Sequence, residues 1–125
     1  MWNERIKIED DFLPREEFES IAHLLLYSGD LEWYIQDDPY MKGIYHFTHI
    51  FYINMAPNSE NFKELKPILQ TLNPFTVFRI KANLLMKTPD HIEGTFHSDL
   101  SAVIGNEKQQ AQWTTSILYL NTNNG

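Results

Sequence analysis

Cysteine is absent from the 125 residues. Its absence excludes disulfides, thiolate nucleophiles and Cys-ligated metal sites, and it is compatible with a cytoplasmic protein. Basic residues are scarce: 10 Lys and Arg stand against 17 Asp and Glu, for a net charge of −7. No basic cluster is present, and a phosphate-backbone binder needs a basic face, so a nucleic-acid partner is not expected. Apolar runs extend for only a few residues, far short of a membrane span. The charged opening MWNERIKIEDD has no apolar stretch of the kind a signal peptide needs. Also missing are a G-x-G-x-x-G fingerprint, a P-loop and a G-x-S-x-G elbow. Repeats, linkers and low-complexity segments are absent too.

What is present is a globular composition. Hydrophobic residues make up 42% and aromatic residues 14%, enough to pack a core, and the length suits one domain spanning residues 1–125. Arg5–Glu9 alternates and predicts a short strand. Pro14 followed by Glu16, Glu17 and Glu19 opens a helix, because proline suits a first turn and acidic side chains favour its positive end. Phe18, Ile21, Ala22 and Leu25 fall on one face of that helix, and Gly29 stops it. Leu31–Ile35 and Ile44–Asn54 are rich in β-branched and aromatic residues and predict strands. Asn58 or Ser59 can cap a second helical region carrying Phe62, Leu65, Ile68, Leu69 and Leu72. Pro67 within it predicts a kink or two short helices. Phe75–Met86 predicts a longer strand, Ser101–Gln112 a loop and Trp113–Asn121 a strand. The sum is an α+β fold with two helical regions beside antiparallel strands. The ending Asn123-Asn124-Gly125 has the chemistry of a hairpin turn, so the sequence is expected to be cut before a pairing strand.

One constellation carries chemistry. His97 and Asp99 sit at i and i+2, a spacing that puts both side chains on one side of an extended backbone. An imidazole and a carboxylate then converge on one ion, and with a second histidine they make the two-His-one-carboxylate set of non-haem Fe(II) oxygenases. Alone, His-x-Asp is also read as an exposed polar pair, or as a general acid and base without a nucleophile. His23, His46, His49 and His91 are read as surface or hydrogen-bonded core histidines.

The ordered set Arg79-Ile80-Lys81-Ala82-Asn83-Leu84-Leu85, Thr95-Phe96-His97-Ser98-Asp99-Leu100 and Ser116-Ile117-Leu118-Tyr119-Leu120-Asn121 resembles the first half of the core of prolyl-4-hydroxylase-like Fe(II)/2-oxoglutarate dioxygenases, including phage and marine bacterial members. Ile8-Glu9-Asp10-Asp11-Phe12-Leu13-Pro14 is similar to the family's lead-in of a strand and then a helix. The resemblance spans most of the chain and is sharpest from Arg79 to Gly125. It implies a partial double-stranded β-helix, or jelly roll, with N-terminal helices packed on the sheet. It also implies Fe(II) held by His97 and Asp99, 2-oxoglutarate contacted by Tyr119 and Asn83, ascorbate as an accessory reductant, and hydroxylation of an unactivated C–H bond in a prolyl or other peptide residue or a small molecule. Tyr119 is equally read as a core or interface tyrosine, and Asn83 as a structural hydrogen-bonding residue. The sequence departs from the family downstream of Asp99, where it has no histidine and Lys108 is its one cation. The resemblance therefore implies that these 125 residues by themselves are inactive. The rival readings are a non-catalytic binding or interaction module and a cupin-like metal protein that uses the same ligands for non-oxidative work.

Overall fold

A computed structural model describes residues 6–37, 43–94 and 106–122. The fold is α+β, with helices packed on an antiparallel sheet. Helix α1 spans Arg15–Leu26. It starts after Pro14 with Glu16 and Glu17 in its first turn, where their charge meets the exposed N–H groups. It ends where Ser28 folds back, its N–H on the His23 carbonyl and its hydroxyl on the Leu24 carbonyl, and Gly29 turns the chain at φ +72°. Ile21 and Ala22 are buried, and Phe18 and Leu25 pack beside them, which is the face that the spacing predicts.

Strands β1 (Tyr34–Asp37), β2 (Tyr45–Ile53) and β3 (Ala56–Pro57) precede a 3-10 helix at Glu60–Leu65 and helix α2 at Lys66–Leu72. The expected interruption at Pro67 falls where these two helices meet. Proline has no N–H, and in the first turn of α2 none is required. Strand β4 covers Ile80–Leu85. Strand β2 is the sheet's centre. One edge pairs along its length with β4, from His46↔Leu85 to Tyr52↔Ile80. The other pairs first with β1, from Tyr34↔Thr48 to Asp37↔Tyr45, and then with β3 at Tyr52↔Pro57 and Ile53↔Ala56. A bulge between Ile50 and Tyr52 sets Phe51 and Tyr52 against one partner, Ile80. Both rings can therefore serve the helical layer: Phe51 is 2% exposed in the core, and the Tyr52 ring lies 5.4 Å from Phe62.

The core consists of Leu13, Ile21, Leu31, Phe51 and Leu65, with Ile80 and Ala82 from β4 packed against it. The helices thus cover one face of the sheet. On the other face Tyr34, Lys81, Asn83 and Leu85 are exposed.

Four expectations are corrected. No strand forms over residues 6–9, where Ile6 and Ile8 are exposed and have no neighbouring strand to pack on; alternation alone does not supply a partner. Only Ile80–Leu85 of the expected strand at Phe75–Met86 joins the sheet. Residues 113–122 form no ladder, although Leu118 and Leu120 pack on the core while Ile117 and Tyr119 stay exposed. That alternation is strand-like, and Trp113 anchors the segment edge-on to Phe78 at 5.5 Å. Within the stretch expected to be a loop, Glu107–Gln110 is a short helix, α3, capped by the Asn106 side chain, which accepts from the Gln109 N–H at 2.9 Å.

The β2–β3 hairpin turns on Asn54 and Met55, with φ of 54° and 65°. A two-residue turn with both residues left-handed matches the strand twist, but methionine pays a steric cost there. Met55 is exposed and its side chain supports nothing in the core. Met55→Gly should raise unfolding stability by about 1 kcal/mol, read as a higher urea midpoint at unchanged slope; an unchanged or lower midpoint would contradict it.

Candidate functional site

His97 and Asp99 lie outside the described residues. Strand β4 sends the chain towards them: it leaves the sheet at Leu85 and continues through the exposed residues 89–94, which include His91. Asn83 sits on the exposed face of β4, in a row across the sheet formed by Tyr34, Thr48 and Asn83. His46 occupies the next row, between Gln36 and Leu85, at the end where β4 releases the chain. Tyr119 is 60% exposed, and its neighbours Leu118 and Leu120 turn inward to the core. Asn83 and Tyr119 are thus both accessible.

Among the described residues, no group of three His, Asp or Glu side chains could hold a metal ion. His23 lies on α1 with its ring 6.3 Å from Tyr27. His49 has both ring nitrogens within hydrogen-bond reach of other groups.

His49 is a buried polar residue at the centre of a hydrogen-bonded cluster. It lies in the gap that β1 and β3 leave between them along the edge of β2. The ring is 6% exposed, with Phe51 edge-on at 4.6 Å. Nδ1 is 2.6 Å from the Glu32 carbonyl oxygen, and Nε2 is 2.8 Å from the Ser59 hydroxyl. A carbonyl only accepts, so Nδ1 carries the proton. In the neutral ring Nε2 then accepts from the Ser59 O–H. The Ser59 oxygen in turn accepts the Asn61 N–H at 3.2 Å, as the cap of the 3-10 helix. Asn58 closes the same gap, its side-chain amide donating to the Ile50 carbonyl and its N–H to the Phe51 carbonyl. Beside this cluster lies an open cleft of about 520 Å³, whose lining includes Asp30, Glu32, Tyr34, Ser59, Glu60 and Asn61.

Of the two readings for His49, a surface or a hydrogen-bonded core histidine, the structure shows the second. Its partners were not foreseen: Glu32 and Ser59 are 17 and 10 residues away, and no local spacing announces them. The Tyr34 hydroxyl donates to the Glu32 carboxylate at 2.7 Å. That bond, and the carboxylate's charge, hold the Tyr34 pKa above the ordinary phenol value. Glu32→Gln should lower it, as followed by alkaline ultraviolet titration against a Tyr34→Phe control. An unchanged titration would remove Glu32 as the cause.

No described helix is long and apolar enough to cross a membrane. Comparison with known proteins finds no matching family model, no matching curated protein and no matching solved structure.

Proposed function

We propose that the chain is an Fe(II)- and 2-oxoglutarate-dependent oxygenase of the prolyl-4-hydroxylase-like kind, hydroxylating an unactivated C–H bond in a peptide residue or small molecule. What supports this reading is the order of parts. An antiparallel sheet has helices on one face, and its exposed face carries Asn83. Strand β4 then leads on to Phe96-His97-Ser98-Asp99. In a partial double-stranded β-helix the helix-free face is the one available to a cosubstrate.

The donor chemistry fits the metal. A neutral imidazole at His97 and a carboxylate at Asp99 are two of the three groups of a facial triad, which leaves positions open for a bidentate 2-oxo acid and dioxygen. When bound, iron and 2-oxoglutarate supply the oxidising chemistry, consuming O2 and releasing succinate and CO2. The chain's own residues hold and orient. His97 and Asp99 would hold the ion, the Tyr119 phenol would be a neutral donor for the distal carboxylate of 2-oxoglutarate, and the Asn83 amide a second donor. Ascorbate belongs to the reading as an accessory reductant, and the cytoplasm as the compartment.

Because no histidine follows Asp99 and Lys108 is the single cation after it, turnover by these 125 residues is expected to be slight, and binding is the decisive measurement. Mn(II), as a redox-silent stand-in for Fe(II), is titrated by electron paramagnetic resonance with and without 2-oxoglutarate. Saturable binding of one ion, tightened by 2-oxoglutarate, is the expected result. No binding, or binding indifferent to 2-oxoglutarate, overturns the proposal. Succinate release with Fe(II) and ascorbate then measures how far two protein ligands support turnover.

A further inference from the structure

We propose that Ser59 and His49 form a second site, independent of the iron reading, at which Ser59 is acylated by small carboxylic esters. An activated serine needs a base within hydrogen-bond reach and a third group that fixes the base's tautomer. All three are present. Nε2 of His49 is 2.8 Å from the Ser59 oxygen, and Nδ1 is pinned at 2.6 Å to the Glu32 carbonyl. The carbonyl enforces the tautomer that leaves Nε2 free to take a proton. The Asn61 N–H occupies an acceptor position on the serine oxygen and so leaves its proton for the histidine.

Access is divided as the chemistry requires. His49 is buried against Phe51, away from water, whereas Ser59 is half-buried and lines the cleft of about 520 Å³. The Asn58 side-chain amide is already spent on the Ile50 carbonyl. Asn61 also lines the cleft, and a carboxamide is a neutral donor of the kind that stabilises a developing oxyanion. Among the described residues, Asp30, Glu32 and Glu60 line the cleft and no Lys or Arg does, so the favoured ester carries an ammonium group.

The step balances without a further reagent. The Ser59 proton passes to Nε2 as the oxygen bonds to the ester carbonyl carbon. The tetrahedral adduct collapses, the C–O bond to the alcohol breaks, and the alcohol leaves with the proton from Nε2. Water repeats the sequence on the acyl-serine, giving the carboxylic acid and restoring the Ser59 hydroxyl.

The test uses the full chain with a chelator present, so that the outcome is separate from that of the iron reading. The chain is treated with p-nitrophenyl acetate, followed by chromogen release, and with acetylcholine and its neutral isostere 3,3-dimethylbutyl acetate, followed by intact mass and peptide mapping. The expected result is one acetyl group per chain on Ser59, with acetylcholine a more efficient donor than its neutral isostere at low salt. Ser59→Ala abolishes the adduct, Ser59→Cys keeps labelling at that position, and Asn61→Leu slows it. His49→Gln slows acylation by about 100-fold or more. Because His49 also bridges two segments, the Ser59 pair decides if His49→Gln unfolds the chain. Absence of an adduct at Ser59 on the folded chain, or labelling of Ser59→Ala equal to the parent's, overturns the proposal.

Discussion

Asp99→Ala should weaken Mn(II) or Fe(II) binding by about 100-fold or more. Loss of a group that merely orients a ligand costs 10–100-fold in metal affinity, and Asp99 is proposed as a ligand itself. The carboxylate has two separable contributions, a negative charge opposite the ion and an oxygen donor at fixed geometry. Asp99→Asn keeps an oxygen of similar reach and removes the charge, so it should fall between parent and alanine. His97→Ala should match Asp99→Ala, since either change leaves one protein donor of the pair. His91→Ala, in the exposed segment after β4, should bind as the parent does. A His91 effect as large as that of His97 would identify His91 as the missing ligand instead. Asp99→Ala binding the ion as tightly as the parent would end the assignment of the metal to this motif. Thermal unfolding of each variant serves as the control.

Much of the fold was legible because its signals are local. The α1 face of Phe18, Ile21, Ala22 and Leu25 follows from helical spacing, and the Pro67 break from a missing N–H. The β-rich run at β2 states its own conformation. What was not legible depends on partners. Arg5–Glu9 and Trp113–Asn121 have strand-like alternation, yet a strand exists only where a neighbour accepts its hydrogen bonds. Residues 6–9 and 113–122 are not part of any strand among the described residues. The bulge that turns both Phe51 and Tyr52 to the helices breaks the period-two pattern, so alternation would have assigned one of them to the wrong face. The His97 and Asp99 motif is an i, i+2 pair in the sequence that lies outside the described residues. The His49 cluster was not legible, because Glu32, His49 and Ser59 meet only once β1 and β3 have taken successive stretches of one edge of β2.

Phe51→Ala should cost about 3–5 kcal/mol, against a total stability of about 5–15 kcal/mol for an ordinary domain. Phe51 is the largest fully buried side chain among the described residues. It joins the sheet to Leu13, Ile21, Leu31 and Leu65, residues from the lead-in to α1, α1 itself, the approach to β1 and the end of the 3-10 helix. Alanine would leave a cavity bounded by four segments that are fixed separately, so they cannot close on it together. The bulge adds to the cost, since the backbone there is already bent to deliver this ring. The edge contact at 4.6 Å to His49 is lost as well, which exposes the buried hydrogen bonds to Glu32 and Ser59 to water. Phe75→Ala is the internal comparison: the same atoms are removed from a fully exposed ring, and a change within about 0.5 kcal/mol is expected. Urea unfolding of the two variants side by side measures the difference. Phe51→Ala should be partly unfolded before denaturant is added, or melt at a much lower urea concentration, while Phe75→Ala follows the parent curve. Equal shifts for the two would mean that the ring of Phe51 does not form the centre of the core.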